Sequence, residues 1–160
     1  MKRIITLLFA ATLLTSATAA ELTWLTDAAQ AQARAKAEKK LVLLDFTGSD
    51  WCIWCQKLSK EVFATDEFAA YAKTNLVLVE VDFPRKKSLS DSQKAANEAL
   101  AKKYSIRGFP TLILLDAEGK LLGQLSYSDG VENIEATDRS KIVAKPATFI
   151  AAIEKKRQAR

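Results

Sequence analysis

Histidine is absent from all 160 residues of this chain. Its absence removes the base that activates the nucleophile in Ser–His and Cys–His enzymes, and it removes the commonest protein ligand of metal ions. Only two cysteines are present, which is too few to complete a tetrahedral zinc ribbon within one chain. Any chemistry must therefore use thiols, carboxylates, amines or phenols, and the sequence predicts no metal site.

Glycine and proline are also scarce, with five and three copies, and no low-complexity linker interrupts the chain. The composition, 49% hydrophobic and 27% charged, is that of an ordinary globular protein of one domain. The formal net charge is +5, and it falls to +3 without the basic pair at positions 2 and 3. A charge this small does not indicate a nucleic-acid partner.

Long hydrophobic runs are confined to the N-terminus. The basic pair opens the chain, an apolar stretch follows over residues 4–14, and small residues lead to Ala19 and Ala20. This order predicts a signal peptide over residues 1–20, cleaved after one of those two alanines. A retained anchor is the alternative, although the apolar stretch is short for a transmembrane helix. We therefore expect an exported domain over residues 21–160, periplasmic or secreted.

Helical and extended patterns alternate along the rest of the chain. This alternation predicts an α/β fold with a central mixed sheet flanked by helices on both faces. A polar stretch without periodicity, at about residues 127–145, predicts an irregular insertion. The predicted helices cover 28–40, 52–63, 67–74 and 91–104 and a last one from Pro146, and the predicted strands cover 41–46, 76–83, 111–115 and 120–126.

The two cysteines stand three positions apart, as Cys52 and Cys55. This spacing lets one thiolate attack a foreign disulfide while the other resolves the mixed disulfide. Because Cys52 opens a predicted helix, unpaired N–H groups and the helix dipole should lower its pKa and make it the attacking sulfur. Cys55, one turn further in, should be more buried and act as the resolving thiol. The alternative is a structural disulfide, but so small a loop restricts the unfolded chain little, which favours redox chemistry.

Three motifs together carry a resemblance to a known family. They are Asp45-Phe46 at the end of a strand, Trp51-Cys52-x-x-Cys55 opening a helix, and Arg107-Gly108-Phe109-Pro110-Thr111 before another strand. Over residues 25–157 the chain resembles the thioredoxin superfamily. It looks most like the exported thioredoxin-like proteins of bacteria and the thioredoxin-like end domain of membrane thiol-reductant transporters. The resemblance implies a thioredoxin-like fold and thiol–disulfide exchange, more in the reducing than in the oxidising direction.

The resemblance also implies roles for individual residues. Pro110 matches the proline that follows a cis peptide bond and faces the active-site disulfide, and Phe109 would offer backbone groups to an extended substrate. Asp45 matches the buried acid beneath the resolving cysteine, where it would exchange a proton. The alternatives are an ordinary trans proline at the start of a strand, and an acid at a strand end that reaches solvent or caps a turn.

Two tryptophans complete the candidate site. Trp51 matches the family tryptophan that shields the sulfurs and contacts substrate. Trp54 either forms an exposed rim for protein substrates or packs against the insertion, and the two interpretations weigh equally.

The sequence departs from thioredoxin in three ways. The span from Asp45 to Cys52 is one residue longer, Leu78 is assigned to the place of a lysine that often accompanies the buried acid, and Ile53-Trp54 replaces Gly-Pro between the cysteines. Redox poise therefore cannot be carried over from the family.

The leading hypothesis is an exported, monomeric thiol–disulfide oxidoreductase that needs no metal, flavin or nucleotide cofactor. Its partners would be disulfide-containing exported proteins or a membrane thiol-electron donor. A second hypothesis is a thioredoxin-fold binding or chaperone-like module whose disulfide is structural. A third hypothesis is a peroxide-reducing enzyme, but the sequence shows no obvious peroxide-binding motif around the cysteines. The sequence leaves the direction of electron flow, the partner and the role of the insertion open.

Overall fold

A five-stranded mixed sheet forms the centre of the structure, a computed structural model that describes residues 22–132 and 141–159. The predicted signal peptide and the middle of the predicted insertion lie outside the described residues. The strands are β1 (Trp24–Leu25), β2 (Leu41–Thr47), β3 (Leu76–Asp82), β4 (Thr111–Leu115) and β5 (Leu121–Ser126).

The order of strands across the sheet is β1-β3-β2-β4-β5. β3 runs parallel to both β1 and β2, whereas β4 is antiparallel to β2 and β5 is antiparallel to β4. The four longer strands match the predicted ones to within a residue, and the two-residue β1 was not predicted. The mixed sheet confirms the predicted fold class.

Side chains of the neighbouring sequence cap the helices that cover this sheet. Asp27 accepts hydrogen bonds from the second and third residues of α1, and Thr65 and Ser90 each accept one at the start of α3 and α4. The predicted helix over 52–63 divides into an α-helix and a π-helical turn. The helices are α1 (Ala28–Glu38), α2 (Ile53–Leu58), the π-helical turn (Ser59–Phe63), α3 (Asp66–Asn75), α4 (Asp91–Lys103) and α5 (Pro146–Gln158).

The alternation of side chains along β2 produces two hydrophobic layers. Leu41 and Leu43 face a core shared with α2, α3 and α5. Val42, Leu44 and Phe46 face the other core, against α1 and α4. Helices therefore cover both faces of the sheet, as predicted, and none in the described ranges is long and apolar enough to cross a membrane.

The described ends of the predicted insertion pack against the helical layer. A 3₁₀ turn covers Tyr127–Gly130, and Val131 forms an isolated bridge with Ala144. The Tyr127 hydroxyl donates to Glu61 Oε2 over 2.5 Å, and the Ala144 N–H donates to the same oxygen over 3.0 Å. The segment is thereby joined to the π-helical turn that follows the cysteine helix.

Candidate active site

Cys52 and Cys55 form a disulfide at the start of α2. A tight turn precedes it, in which the Cys52 N–H donates to the Gly48 carbonyl over 2.8 Å. Cys52 is the N-cap residue of α2, and its Sγ accepts the Cys55 N–H over 3.2 Å. Such a donor and the helix terminus both stabilise negative charge on that sulfur. The two cysteines are 7% and 4% exposed, so the predicted difference in burial is small.

Trp51 fills a slot beside the cysteines. Its indole N–H donates to the Phe83 carbonyl over 2.8 Å, and the Arg85 guanidinium lies 3.8 Å from the ring centroid. Gly48 lies against the same ring, where an added Cβ would come within 2.5 Å of it. Only glycine fits there without displacing the indole. The Phe109 ring meets Trp51 edge-on at 5.9 Å between centroids.

Asp50 fixes a basic loop next to Trp51. Its carboxylate accepts the backbone N–H groups of Arg85, Lys86 and Lys87 over 3.0, 2.7 and 3.1 Å. These hydrogen bonds lower the pKa of Asp50, and the one from Arg85 has the largest effect on it. Asp50, in the segment that the sequence analysis interpreted as longer than in thioredoxin, thus holds this loop.

The Phe109–Pro110 segment lies at the same edge of the sheet as the cysteine turn. β4 begins directly after Pro110, and Thr111 is paired with Phe46 near the end of β2. The Phe109–Pro110 peptide bond is cis, the isomer that the resemblance implied, and Pro110 is buried. Through the contact between Phe109 and Trp51, the structure brings the two predicted motifs together.

Asp45 is a buried acid, 8% exposed, on the same face of β2 as Leu43. Its Oδ1 has no hydrogen-bond partner among the described residues. Burial first, and then the negative charges of Glu80 and Asp82, raise the pKa of Asp45 to about 8. The alternative of a strand-end acid that reaches solvent or caps a turn does not fit this environment.

A cavity of about 470 Å³ joins Asp45 to Cys55. It lies between the ends of β2 and β3 and the first turns of the cysteine helix. Within the described part of the chain, no three His, Cys, Asp or Glu side chains are grouped to hold a metal ion. The cavity is lined by Trp24, Asp45, Thr47, Ser49, Cys55, Gln56, Ser59, Lys60, Phe63, Ala64 and Glu80.

The residue beside Asp45 on the neighbouring strand is an acid. The register pairs Asp45 with Glu80, whereas Leu78 is paired with Leu43 and buried in the core. Leu78, to which the sequence analysis assigned the lysine's place, therefore does not lie beside Asp45, and the residue paired with Asp45 is Glu80. Sequence reasoning missed Glu80, and only the register of β2 and β3 reveals it.

Trp54 packs within the protein. Its ring is half-buried and lies 5.0 Å from that of Tyr127, and the Lys57 ammonium lies 5.3 Å from it. The structure thus favours packing against the insertion over an exposed rim. The exposed apolar residue between the cysteines is Ile53, whose exposure is 67%.

Comparison with known proteins identifies the family. The family model of the thioredoxin-like domain matches residues 28–131. The chain belongs to this thioredoxin-like family. It is 40% identical to the disulfide bond reductase DsbH of Chlamydia pneumoniae over 112 residues, which are 70% of this chain and 67% of that protein. A solved structure of a DsbH oxidoreductase superposes with a TM-score of 0.74 at 31% identity and covers 94% of this chain and 96% of that one.

Larger thiol-exchange proteins match over part of their length. The thioredoxin-related protein DsbJ of Chlamydia pneumoniae is 33% identical over 95 residues, and the thiol:disulfide interchange protein DsbD of Actinobacillus pleuropneumoniae is 32% identical over 85. The matched segments are only 27% and 13% of those proteins. The thioredoxin-like chain is thus a DsbH-like thiol–disulfide oxidoreductase with a Cys-x-x-Cys pair, Cys52 and Cys55.

Proposed function

We propose that the protein is an exported reductase of protein disulfides. The observation that carries the proposal is the position of the Cys52–Cys55 disulfide, with Cys52 as the N-cap of α2 and its sulfur aligned with the Cys55 N–H. That arrangement favours a thiolate on Cys52 in the reduced protein. The similarity to a disulfide bond reductase supports the reducing direction.

The proposed reaction uses the two sulfurs in turn. The Cys52 thiolate attacks one sulfur of the substrate disulfide, forms a mixed disulfide and expels the other substrate sulfur as a thiolate. The Cys55 thiol then gives its proton to Asp45 and attacks Cys52 Sγ. This second attack forms the Cys52–Cys55 disulfide and releases the substrate's remaining thiolate, which solvent protonates.

Substrate would meet the surface formed by Trp51, Phe109 and Pro110, with backbone groups of Phe109 pairing with an extended segment. Ile53 adds an exposed apolar contact on the first turn of α2. Trp54 would contribute less, because Tyr127 already covers part of its ring.

Export depends on residues 1–20 acting as a cleaved signal peptide, which leaves residues 21–160 as one monomeric domain in the periplasm or outside the cell. Its partners are disulfide-containing exported proteins. A membrane thiol-electron donor would return Cys52 and Cys55 to the dithiol form, and the similarity to the thiol:disulfide interchange protein DsbD supports exchange with such a thiol partner.

Turnover in the two directions tests the activity. The pre-reduced protein should reduce insulin disulfides in stoichiometric amounts without cofactor, and the oxidised protein should oxidise a reduced peptide far more slowly. Cys52→Ser should abolish reduction because the attacking sulfur is lost. Equal rates in both directions would contradict a reductase, and unchanged reduction by Cys52→Ser would contradict the enzyme itself.

Trapping tests the partners and the compartment. The full chain carrying Cys55→Ala should accumulate mixed disulfides on Cys52 in a bacterial host, because no second thiol resolves them. These adducts should be recovered from the envelope fraction, with a mature N-terminus near Ala20. Adducts found only with cytoplasmic proteins would contradict export, and the double variant Cys52→Ser/Cys55→Ala is the matched control.

A further inference from the structure

Two carboxyl groups stand side by side where the apolar face of the sheet ends. Leu43 on β2 and Leu78 on β3 are paired and face one hydrophobic core. The next residues on that face, Asp45 and Glu80, are also paired with each other. Paired residues on adjacent parallel strands lie about 5 Å apart and project from the same face. Asp45 and Glu80 are therefore neighbours at the level where the aliphatic side chains of this face give way to polar ones.

Within residues 22–132 and 141–159, no hydrogen bond or ion pair neutralises either carboxyl group of this pair. Asp45 Oδ1 is buried without a partner, and no described residue hydrogen-bonds to the half-buried Glu80. Asp82, the next acid on the same face, behaves differently, because the N–H and hydroxyl of Ser49 donate to its two oxygens over 2.9 and 2.6 Å. Of these three acids, the two without a hydrogen-bond partner among the described residues, Asp45 and Glu80, line the cavity.

The cavity connects this pair to the resolving sulfur. Asp45, Glu80 and Cys55 all line it, and its volume of about 470 Å³ has room for several water molecules among polar groups. The other charged groups that face the pair are Asp82 on β3, Lys60 on the π-helical turn, which also lines the cavity, and Lys87 in the basic loop, which acts on Glu80. The nearest charge to Asp45 across the sheet is thus negative.

We propose that Glu80 is a positioning residue for proton transfer and that Asp45 and Glu80 form a proton-sharing pair beneath Cys55. This inference rests on the proposed function. When Cys55 resolves a mixed disulfide, its thiol proton passes to Asp45 as its sulfur attacks Cys52, and the pair then releases the proton to solvent through the cavity. No electron leaves the sulfurs in this transfer, and the proton is the only species that the pair carries.

The charge on Glu80 sets the pH at which the pair works. Negative charge beside Asp45 opposes its ionisation, so Glu80 keeps the proton affinity of Asp45 high. Removal of that charge leaves Asp45 a weaker base that ionises at lower pH. The pH midpoint of the resolving step should fall accordingly.

Stopped-flow measurement of the resolving step tests this role. A chromogenic aromatic disulfide added to the reduced protein releases one thiolate when Cys52 attacks and a second when Cys55 resolves the adduct. The pH midpoint of the second phase should be lower in Glu80→Gln than in the wild type by roughly 0.5 to 1 unit, a three- to tenfold change in proton affinity. Glu80→Lys should shift it further in the same direction, and Glu98→Gln, at an exposed position on α4, should leave it unchanged.

A second measurement does not depend on activity. Carboxyl ¹³C titration of the oxidised wild type should show two coupled steps for Asp45 and Glu80, and Glu80→Gln should leave one step at lower pH. An unchanged midpoint in Glu80→Gln, or independent titration of the two groups, would overturn the inference while leaving the reductase proposal intact. A wild type that releases no second chromophore would instead overturn the reductase proposal, and this inference with it.

Discussion

At the scale of single residues, Asp45 is the group whose environment departs furthest from water. It is buried, its Oδ1 has no hydrogen-bond partner among the described residues, and acids on β3 lie beside it. The folded protein therefore binds the Asp45 proton more tightly than the unfolded chain does, where the ordinary pKa is 3.8. Proton affinity of this kind is useful for catalysis and unfavourable for stability.

The effect on stability has a definite sign. Between about pH 4 and pH 8 the folded state keeps a proton that the unfolded state has lost, so the free energy of unfolding falls as pH rises, by about 1.4 kcal/mol per unit. Asp45→Asn should reduce this slope in the oxidised protein, and the part that remains comes from Glu80, whose pKa burial also raises. Urea unfolding at pH 5 and pH 8 measures the change. Asp82→Asn, which weakens the bonds from Ser49, should lower stability at both pH values. An undiminished slope in Asp45→Asn would show that Asp45 does not cause it.

The sequence predicts that Asp45 is buried because it follows four apolar residues of a strand. It does not reveal Glu80 as its neighbour, because Glu80 lies thirty-five residues further along the chain and the register of the two strands decides which residues pair. Position along one strand shows which face a residue occupies, but only the partner strand shows what charge lies beside it.

At the scale of elements, the helix that carries the cysteines is supported from the side by the segment after β5. Tyr127 is 7% exposed, stacks near Trp54 and donates its hydroxyl to Glu61 on the π-helical turn. The Lys57 ammonium donates to the Ile142 carbonyl over 2.8 Å. The irregular stretch that composition predicts as an insertion thus buttresses the active-site helix with its described ends.

Loss of this support should be measurable. Burial and the hydrogen bond to Glu61 raise the pKa of Tyr127, so the bond persists at neutral pH and weakens only in strong alkali. Tyr127→Phe should lower the free energy of unfolding by about 2 kcal/mol, because a hydrogen bond to a charged acceptor is lost. Urea titration followed by circular dichroism measures this loss.

Tyr104→Phe is the matched control, since the Tyr104 hydroxyl makes no hydrogen bond with the described residues and the substitution should cost little. A Tyr127→Phe variant as stable as the wild type would mean that the hydroxyl contact does not buttress α2.

Element boundaries were predictable where a polar side chain caps a helix. Asp27, Thr65 and Ser90 are of residue types that favour N-cap positions, they precede the helices predicted from 28, 67 and 91, and each caps a helix in the structure. The π-helical turn and β1 were not predictable, because the first keeps helical spacing and the second has only two residues. The burial of Asn97 was not predictable either. Asn97 lies on α4 and is 2% exposed, and its amide donates to the Asp82 carbonyl over 2.7 Å.

At the scale of the whole molecule, the order of helices and strands and the burial of the strands determine an architecture of three layers, with one sheet between two layers of helices. The apolar runs of β2, β3 and β4 predict a sheet covered on both faces, which the structure confirms. What sequence patterns leave out is the arrangement across elements: the cavity behind Cys55, the Asp50 contacts to the basic loop, and the packing of Trp54 on Tyr127. Each depends on residues that are distant along the chain and meet only after the sheet has paired.

The acidic pair beneath Cys55 has one more consequence in a chain without histidine. Side chains with ordinary pKa values give a protein almost no buffering capacity between about pH 6 and pH 8 once histidine is absent and both thiols are oxidised. Among the described residues, the side chain that takes up a proton in that interval in the oxidised protein is that of Asp45. The net charge of the molecule therefore changes, near neutrality, at the place where its chemistry occurs.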